Sequence, residues 1–246
     1  MTTNSVVTAF AVLEAVGELQ PVGLSDLTRA VGLPKSTTQR TLLTLADIGW
    51  LRRTREEPTR WLLTYRALRL SRHVDGRSGL REVALPVLNE LQLATTETIH
   101  LVAPDGDTLV LVERLDTAHS LRSFLPLGER IPLHASATGL AFLAASGHEV
   151  VDRALGGVLE APSPGTLTDP DEVRTTLATI RERGYSVNEG GLSTGITAVG
   201  AAVVDQSGLP VGAISISGPS TRMVPDRFRD LGEQVARAAA RIGAQL

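Results

Sequence analysis

Apolar side chains recur at helical spacing along the first 50 residues of the chain. Steps of three residues predict a helix over residues 6–19. Its apolar face is formed by Phe10, Leu13, Val16 and Leu19. Ser25 and Asp26 lie near the start of a second, shorter helix, and Gly32 ends it. The pattern therefore predicts two helices before residue 33.

A third helix and a two-stranded ribbon are predicted between residues 34 and 63. Pro34 can open the helix, because its missing N–H is no loss in a first turn, and the helix extends to about Ile48. Its inward face is formed by Leu42, Leu45 and Ile48. Residues 50–54 and 60–63 flank a polar turn, which is typical of a ribbon. Three helices followed by a ribbon predict a winged helix-turn-helix over residues 1–64.

A linker and a second domain are predicted beyond residue 64. The arginine-rich residues 65–73 favour a linking helix, and Gly, Ser and Asp cluster up to residue 79. Beyond residue 79, predicted helices and predicted strands are interspersed along the chain. Helices are predicted over 80–95, from about Ala135, over 169–183 and after Pro225, and strands over 98–103, 108–114, 197–204 and 209–217. We therefore predict an α+β chain with a linker at 65–79 and a mixed α/β domain over 80–246.

Length and composition narrow the class of protein. A chain of 246 residues suits two domains better than one. No apolar run approaches the roughly 18 residues of a membrane helix, and the first ten residues do not have the pattern of a secretory signal. Cysteine is absent, which excludes disulfides and thiolate metal sites. We expect a soluble, cytoplasmic protein without a membrane partner or a cofactor.

Positive charge is concentrated in one stretch of the chain. Residues 28–72 carry ten basic and three acidic side chains and a net charge of +7, so the remainder of the chain carries −10. A phosphate-binding surface explains this distribution, and so does a solvated face rich in arginine. Charge alone leaves both interpretations open.

Side chains that suit DNA lie at the start of the third predicted helix. In a helix-turn-helix the second helix of the motif enters the major groove. Gln39 and Arg40 have the bidentate geometry that fits adenine and guanine edges, whereas Lys35 and Ser36 suit phosphates. An amphipathic helix with a polar face is the alternative. The candidate DNA-binding residues are Lys35, Ser36, Thr37, Thr38, Gln39 and Arg40 on the helix and Arg52 and Arg53 on the ribbon.

The segment Gly32-Leu33-Pro34-Lys35-Ser36-Thr37, followed by Arg40, resembles the start of the recognition helix in the IclR (isocitrate lyase regulator) family. The resemblance resumes at residues 132–139, at 184–189 and at 213–219 with Arg222, in the family's order. It implies a transcriptional regulator that is not an enzyme and that binds double-stranded operator DNA. It also implies a GAF-like effector-binding domain and a homodimer that can pair into a tetramer.

Two features of the second domain suit a ligand. Ala135, Ser136, Ala137 and Gly139 are small residues at a helix start, where free N–H groups favour an anion. Ser215 and Ser217 are two apart on a strand, so their hydroxyls point to one face while Ile214 and Ile216 pack on the other. Serines on a solvated sheet face explain this pattern equally well.

The resemblance implies that a small effector, an organic acid or an aromatic compound, modulates operator binding from a site between this helix start and these strands. The implied effector-binding residues are Ile131, Ala137, Thr138, Asn188, Ala198, Ser215 and Ser217. The chain departs from the family at Leu140, where lysine is common, at Asn188, often aspartate, and at Ala198, frequently cysteine. The identity of the effector is therefore not implied.

Three other functions are less well supported. Residues 191–195 match the G-x-S-x-G of a hydrolase, but this elbow needs a helix after Ser193 and a histidine later in the chain. No histidine follows His148, and residues after Gly195 favour a strand. The five histidines have no metal-ligand spacing. About 170 residues beyond the linker exceed what a purely architectural DNA binder requires. We therefore predict no catalytic and no metal-binding residues.

Overall fold

The computed structural model describes residues 2–71 and 79–246, and the chain divides into two compact units, Met1–Gly76 and Arg77–Leu246. The end of the predicted linking helix and nearly all of the Asp75–Gly79 linker segment lie outside the described residues. The domain boundaries at 65 and 79 stay a prediction.

The first unit is a three-helix bundle with a short ribbon, which confirms the predicted winged helix-turn-helix. Its elements are α1 (Asn4–Leu19), α2 (Leu24–Val31), α3 (Lys35–Asp47), β1 (Leu51–Arg53), β2 (Trp61–Leu63) and α4 (Arg66–Ser71). The strands pair antiparallel, with Leu51 opposite Leu63. Leu27 and Leu42 are fully buried between the helices, and Trp61 closes the core from the ribbon.

The predicted apolar face of α1 is wrong at both ends. Val12 and Val16 are fully buried, whereas Phe10 and Leu19 are 57% and 45% exposed. Each step of three residues falls about 60° short of a full helical turn, so residues nine apart lie on opposite sides of the helix. Ile48, predicted to face inward, is 50% exposed, because α3 ends at Asp47 and the chain turns away from the core there.

The second unit is a six-stranded sheet covered by helices, which confirms the α+β fold. Its elements are α5 (Leu80–Thr95), β3 (Thr98–Asp105), β4 (Thr108–Leu115), β5 (Arg130–Ile131), α6 (Ala137–Ala145), α7 (His148–Leu155), α8 (Pro170–Arg183), β6 (Ser186–Glu189), β7 (Ile196–Val204), β8 (Pro210–Pro219) and α9 (Pro225–Gly243). The strand order is β5-β4-β3-β8-β7-β6, and neighbouring strands pair antiparallel.

Apolar cores lie on both faces of this sheet. Ile214 and Ile216 pack with the buried side chains of α5 and α9. On the other face, the core of α6 and α8 includes Leu140, Leu177 and, from the sheet, Leu109. Because successive side chains of a strand point to opposite faces, Ser215 and Ser217 lie on the α6 side.

Small residues let the start of α6 lie close against its neighbours. A Cβ atom at Gly139 would overlap with the carbonyl oxygen of Leu133. One at Gly200 on β7 would lie 3.0 Å from the carbonyl oxygen of Ala137. Any larger side chain at either position would therefore push α6 away.

A membrane-spanning helix is absent from residues 2–71 and 79–246, because each helix there is too short or too polar to cross a bilayer.

His100 is a buried titratable group on the α6 side of the sheet. It lies on β3 directly opposite Ser215 of β8 and is only 3% exposed. Burial lowers the pKa of its imidazole from 6.5 to about 4; the charge of Arg114 acts in the same direction and that of Asp116 in the opposite one. The imidazole is therefore neutral in the folded protein at neutral pH.

We predict that this histidine makes the second unit less stable in mild acid. Between pH 6.5 and pH 4 the unfolded chain binds a proton that the folded chain does not, so the free energy of unfolding falls as the pH falls through this window. From about pH 7.5 to about pH 5 the loss is about 2 kcal/mol, and His100→Leu should remove it. Urea unfolding followed by circular dichroism measures this.

The first unit provides an internal control, because both tryptophans of the chain, Trp50 and Trp61, lie in it. Tryptophan fluorescence should report a first-unit transition that is the same in both proteins at each pH. An equal pH dependence of second-unit stability in wild type and His100→Leu would contradict the prediction.

Candidate functional site

The start of α3 presents a row of exposed polar side chains. Lys35, Ser36, Gln39 and Arg40 are exposed, and Thr37 is half-buried. Among the described residues, the side chains of Gln39 and Arg40 have no hydrogen bond or ion pair. These groups are therefore available to an external partner.

Thr38 differs from its neighbours and corrects the prediction for this helix. It is fully buried, and its Oγ1 donates a hydrogen bond to the carbonyl oxygen of Pro34 at 3.2 Å. Thr38 lies one helical turn before Leu42, on the face that packs into the core. The prediction that the Thr38 side chain contacts DNA is therefore wrong.

The ribbon places two arginines beside α3. Arg52 and Arg53 are both exposed, and the Arg53 guanidinium lies 4.9 Å from the centre of the Trp61 ring. Stacking of this kind favours a position of the guanidinium over the ring. A groove of about 190 Å³ between α3 and the ribbon is bordered by Gln39 and Arg53. Polar side chains of the helix and of the ribbon thus border the same groove, which Leu24, Leu43 and Trp61 also line.

A cavity of about 70 Å³ lies between the start of α6 and the sheet. It is lined by all seven predicted effector residues, Ile131, Ala137, Thr138, Asn188, Ala198, Ser215 and Ser217. The fold thus brings these residues together, although their role in binding stays a prediction. Ser136, named from the sequence among the small residues at the helix start, also lines the cavity. Sequence reasoning missed the other lining residues, which are His100, Ser123, Phe124, Leu125, Leu192, Ser193 and Ile196.

The first turn of α6 offers unused donors to this cavity. Ser136 caps the helix: its Oγ accepts a hydrogen bond from Gly139 N at 2.9 Å and donates one to the Pro132 carbonyl oxygen at 3.1 Å. Within the described part of the chain, the backbone N–H groups of Ala137 and Thr138 have no acceptor. The start of α6 therefore has two free N–H groups at the positive end of the helix dipole.

Hydroxyl and amide groups from the sheet complete the lining. Ser217 on β8 lies between Thr98 of β3 and Ala198 of β7, and Asn188 of β6 pairs with Ala198. No hydrogen bond of the described residues involves the Ser215 or Ser217 hydroxyl. The Oδ1 atom of Asn188 accepts a hydrogen bond from Gly191 N at 3.0 Å, which leaves the Nδ2 donor available.

The loop between β4 and β5 forms one wall of the cavity and is tied to the sheet through its backbone. Arg114 donates to the Leu125 carbonyl oxygen, and its guanidinium lies 4.1 Å from the centre of the Phe124 ring. Arg222 donates to the Leu121 carbonyl oxygen at 3.0 Å and pairs with the buried carboxylate of Glu97. Neither Arg114 nor Arg222 lines the cavity, and the residues that line it include no charged side chain.

The segment that matches a hydrolase elbow has a different geometry. Residues 191–195 form a loop between β6 and β7, and the next element is a strand. A nucleophile elbow requires a helix after the serine. Ser193 instead lines the cavity beside Leu192.

Comparison with known proteins covers nearly the whole chain. The IclR helix-turn-helix domain matches residues 5–55, and the bacterial transcriptional regulator IclR C-terminal domain matches residues 73–244. The HTH-type transcriptional regulator KdgR of Escherichia coli is 30% identical over 99% of this chain and 92% of its own length. The transcriptional repressor IclR of the same organism is 31% identical over 90% of this chain and 81% of its own length.

Solved structures agree with these matches. A transcriptional regulator from Rhodococcus superposes with a TM-score of 0.85 at 27% identity, covering 100% of this chain and 98% of its own. An IclR homolog from Microbacterium hydrocarbonoxydans, complexed with 4-hydroxybenzoate, also has a TM-score of 0.85 at 27% identity over 98% of both chains. The chain therefore belongs to the IclR family and is a DNA-binding transcriptional regulator.

Proposed function

We propose that α3 and the ribbon bind operator DNA and that a small organic acid in the α6 cavity changes the strength of this binding. The observation that carries the proposal is the pair of free N–H groups at the start of α6, in a cavity without a charged side chain. Because operator DNA lies in the bacterial cytoplasm, we propose that the protein acts there. We propose no catalytic role for the chain.

The proposed DNA contacts come from the exposed residues of α3 and the ribbon and from the half-buried Thr37. Gln39 and Arg40 contact base edges from the first turns of α3, with Lys35, Ser36 and Thr37 beside them on phosphates. Arg52 and Arg53 hold the backbone from the ribbon. A single recognition helix contacts few base pairs, so we propose a homodimer on half-sites about 34 Å apart or a multiple of it. Pairing of two dimers into a tetramer fits the same symmetry.

The proposed binding of an organic acid depends on the polar groups that line the α6 cavity. A carboxylate at the start of α6 accepts hydrogen bonds from the Ala137 and Thr138 N–H groups and gains from the helix dipole. The hydroxyls of Ser215 and Ser217 add further neutral donors, and the Thr138 hydroxyl, 3.4 Å from Ser136 Oγ, can exchange that contact for one with the ligand. The Microbacterium homolog supports this class of ligand, because 4-hydroxybenzoate is a carboxylate.

The volume of the α6 cavity limits the organic acids that it can bind. One water needs about 10–15 Å³ of cavity, so a cavity of about 70 Å³ holds about five to seven non-hydrogen atoms before it adjusts. Acids of two to four carbons fit this space directly. An aromatic acid exceeds this volume and requires the cavity to widen.

We predict that Arg40 contributes to sequence specificity and Arg52 to general affinity. Arg40→Ala should cost about 1–3 kcal/mol on the operator and little on random DNA, because it removes a contact to a base. Arg52→Ala should weaken both DNAs similarly and reduce the salt dependence, because it removes a phosphate contact. Fluorescence anisotropy at several salt concentrations measures both effects.

Arg237→Ala on α9 is the charge-matched control, since it removes an exposed arginine from the second unit. It should bind operator and random DNA as the wild type does. If Arg40→Ala lost affinity equally on both DNAs, its proposed contact with bases would be wrong.

We predict that the cavity residues determine ligand affinity and leave DNA affinity unchanged. An organic acid found by a thermal-shift screen should bind several-fold more weakly to Ser215→Ala/Ser217→Ala and to Thr138→Val. Each lost hydrogen bond costs about 0.5–1.5 kcal/mol, and more when the acceptor is a carboxylate. Operator affinity without the acid should stay at the wild-type value, because an effector acts only through its different affinities for the two states.

Thr175→Val is the matched control for Thr138→Val, because Thr175 is exposed on α8 and away from the cavity. It should bind the acid normally. Full ligand affinity in both cavity variants would refute the site. Loss of operator binding without ligand would show that the cavity residues are structural.

A further inference from the structure

His100, which lines the α6 cavity, has a buried ring nitrogen, Nε2, without a hydrogen-bond partner among the described residues. The imidazole lines the cavity beside the Ser215 side chain, which lies directly opposite it on β8. A buried polar atom without a partner disfavours the folded state, so its retention needs an explanation.

The electrostatic surroundings keep this imidazole uncharged. Arg114 lies opposite it on β4, and Asp116 follows at the end of that strand. The side chains from β8, α6 and the wall loop that face it in the cavity are serines, threonine and apolar groups. Burial first, and then Arg114, hold the pKa of His100 at about 4. A neutral imidazole has one N–H donor and one lone-pair acceptor, and it pairs with an uncharged oxygen group rather than requiring an anion.

The sheet register places His100 across the cavity from the free N–H groups of α6. His100, Ser215 and Gly200 are consecutive partners on β3, β8 and β7, and the Ala137 carbonyl lies directly over Gly200. Two strand spacings separate His100 from this point, a distance of about 10 Å. A ligand whose carboxylate occupies the start of α6 therefore extends towards His100.

We propose that His100 hydrogen-bonds to a second oxygen group of the effector, a hydroxyl or a carbonyl, and thereby selects bifunctional acids over plain ones. This inference rests on the proposed function, in which the carboxylate binds at the start of α6. Sequence reasoning assigned no role to His100, because a single histidine on a strand has no motif.

Three acids with the same three-carbon chain test the proposal, namely propionate, lactate and pyruvate. Their affinities for the full-length protein are measured by ligand-observed NMR and calorimetry. Lactate, pyruvate or both should bind the wild type about three- to tenfold more tightly than propionate, the gain expected from one hydrogen bond. In His100→Leu this preference should disappear while the affinity for propionate is kept. A preference for lactate alone identifies a hydroxyl, and one for pyruvate alone a carbonyl.

A second variant and a stability measurement separate selection from structure. His100→Gln places an amide near the position of Nε2 and should keep part of the preference. Without ligand, His100→Leu should melt at or above the wild-type temperature, because it removes an unpartnered buried atom.

The outcomes distinguish the two proposals. If the acids bind the wild type but the preference survives in His100→Leu, the role of His100 is wrong and the acid site stands. Equal weakening of all three acids, or a lower melting temperature with the preference intact, makes His100 a structural residue. If none of the acids binds the wild type, the proposed acid site is wrong, and the proposed selection by His100 is wrong as well.

Discussion

The alternation of side chains along β8 is the constraint on which the cavity depends. Ile214 and Ile216 are fully buried against α5 and α9, where they contribute to the largest core of the second unit. Their burial stabilises the fold by several kcal/mol at about 1.5–3 kcal/mol for each side chain. A one-residue shift of β8 would bury the serines in that core and is therefore strongly disfavoured. The two hydroxyls consequently point towards α6.

The close packing of α6 on the sheet turns this polar strip into one wall of a cavity. Gly139 and Gly200 permit the approach, Ser136 caps the helix, and the Ser186 hydroxyl donates to the Ala137 carbonyl oxygen at 2.7 Å. The helix start is thus held in place by its carbonyl and its cap. Its first free N–H groups have no acceptor among the described residues, so the site that we propose for an anion is formed before any anion binds.

Local pattern predicted much of this fold, and it failed where the tertiary neighbours decide. The period-two alternation of residues 214–217 placed the two hydroxyls on one face of the strand, and the small residues up to Gly139 indicated a helix start, since both are properties of a single element. Burial of Thr38 required knowing where the Leu42 face of α3 packs. His100 was missed because its place in the cavity arises from strand pairing, which joins residues more than 110 positions apart.

The central claim is that an acid binds at the first turn of α6, and backbone amide NMR tests it most directly. On titration of ¹⁵N-labelled protein with an acid that stabilises it, the Ala137 and Thr138 amide protons should show the largest downfield shifts. Amides of the exposed turn at Gln206–Gly208 should not move. If the acid binds and the Ala137 and Thr138 signals stay in place, the carboxylate lies elsewhere and the account is wrong.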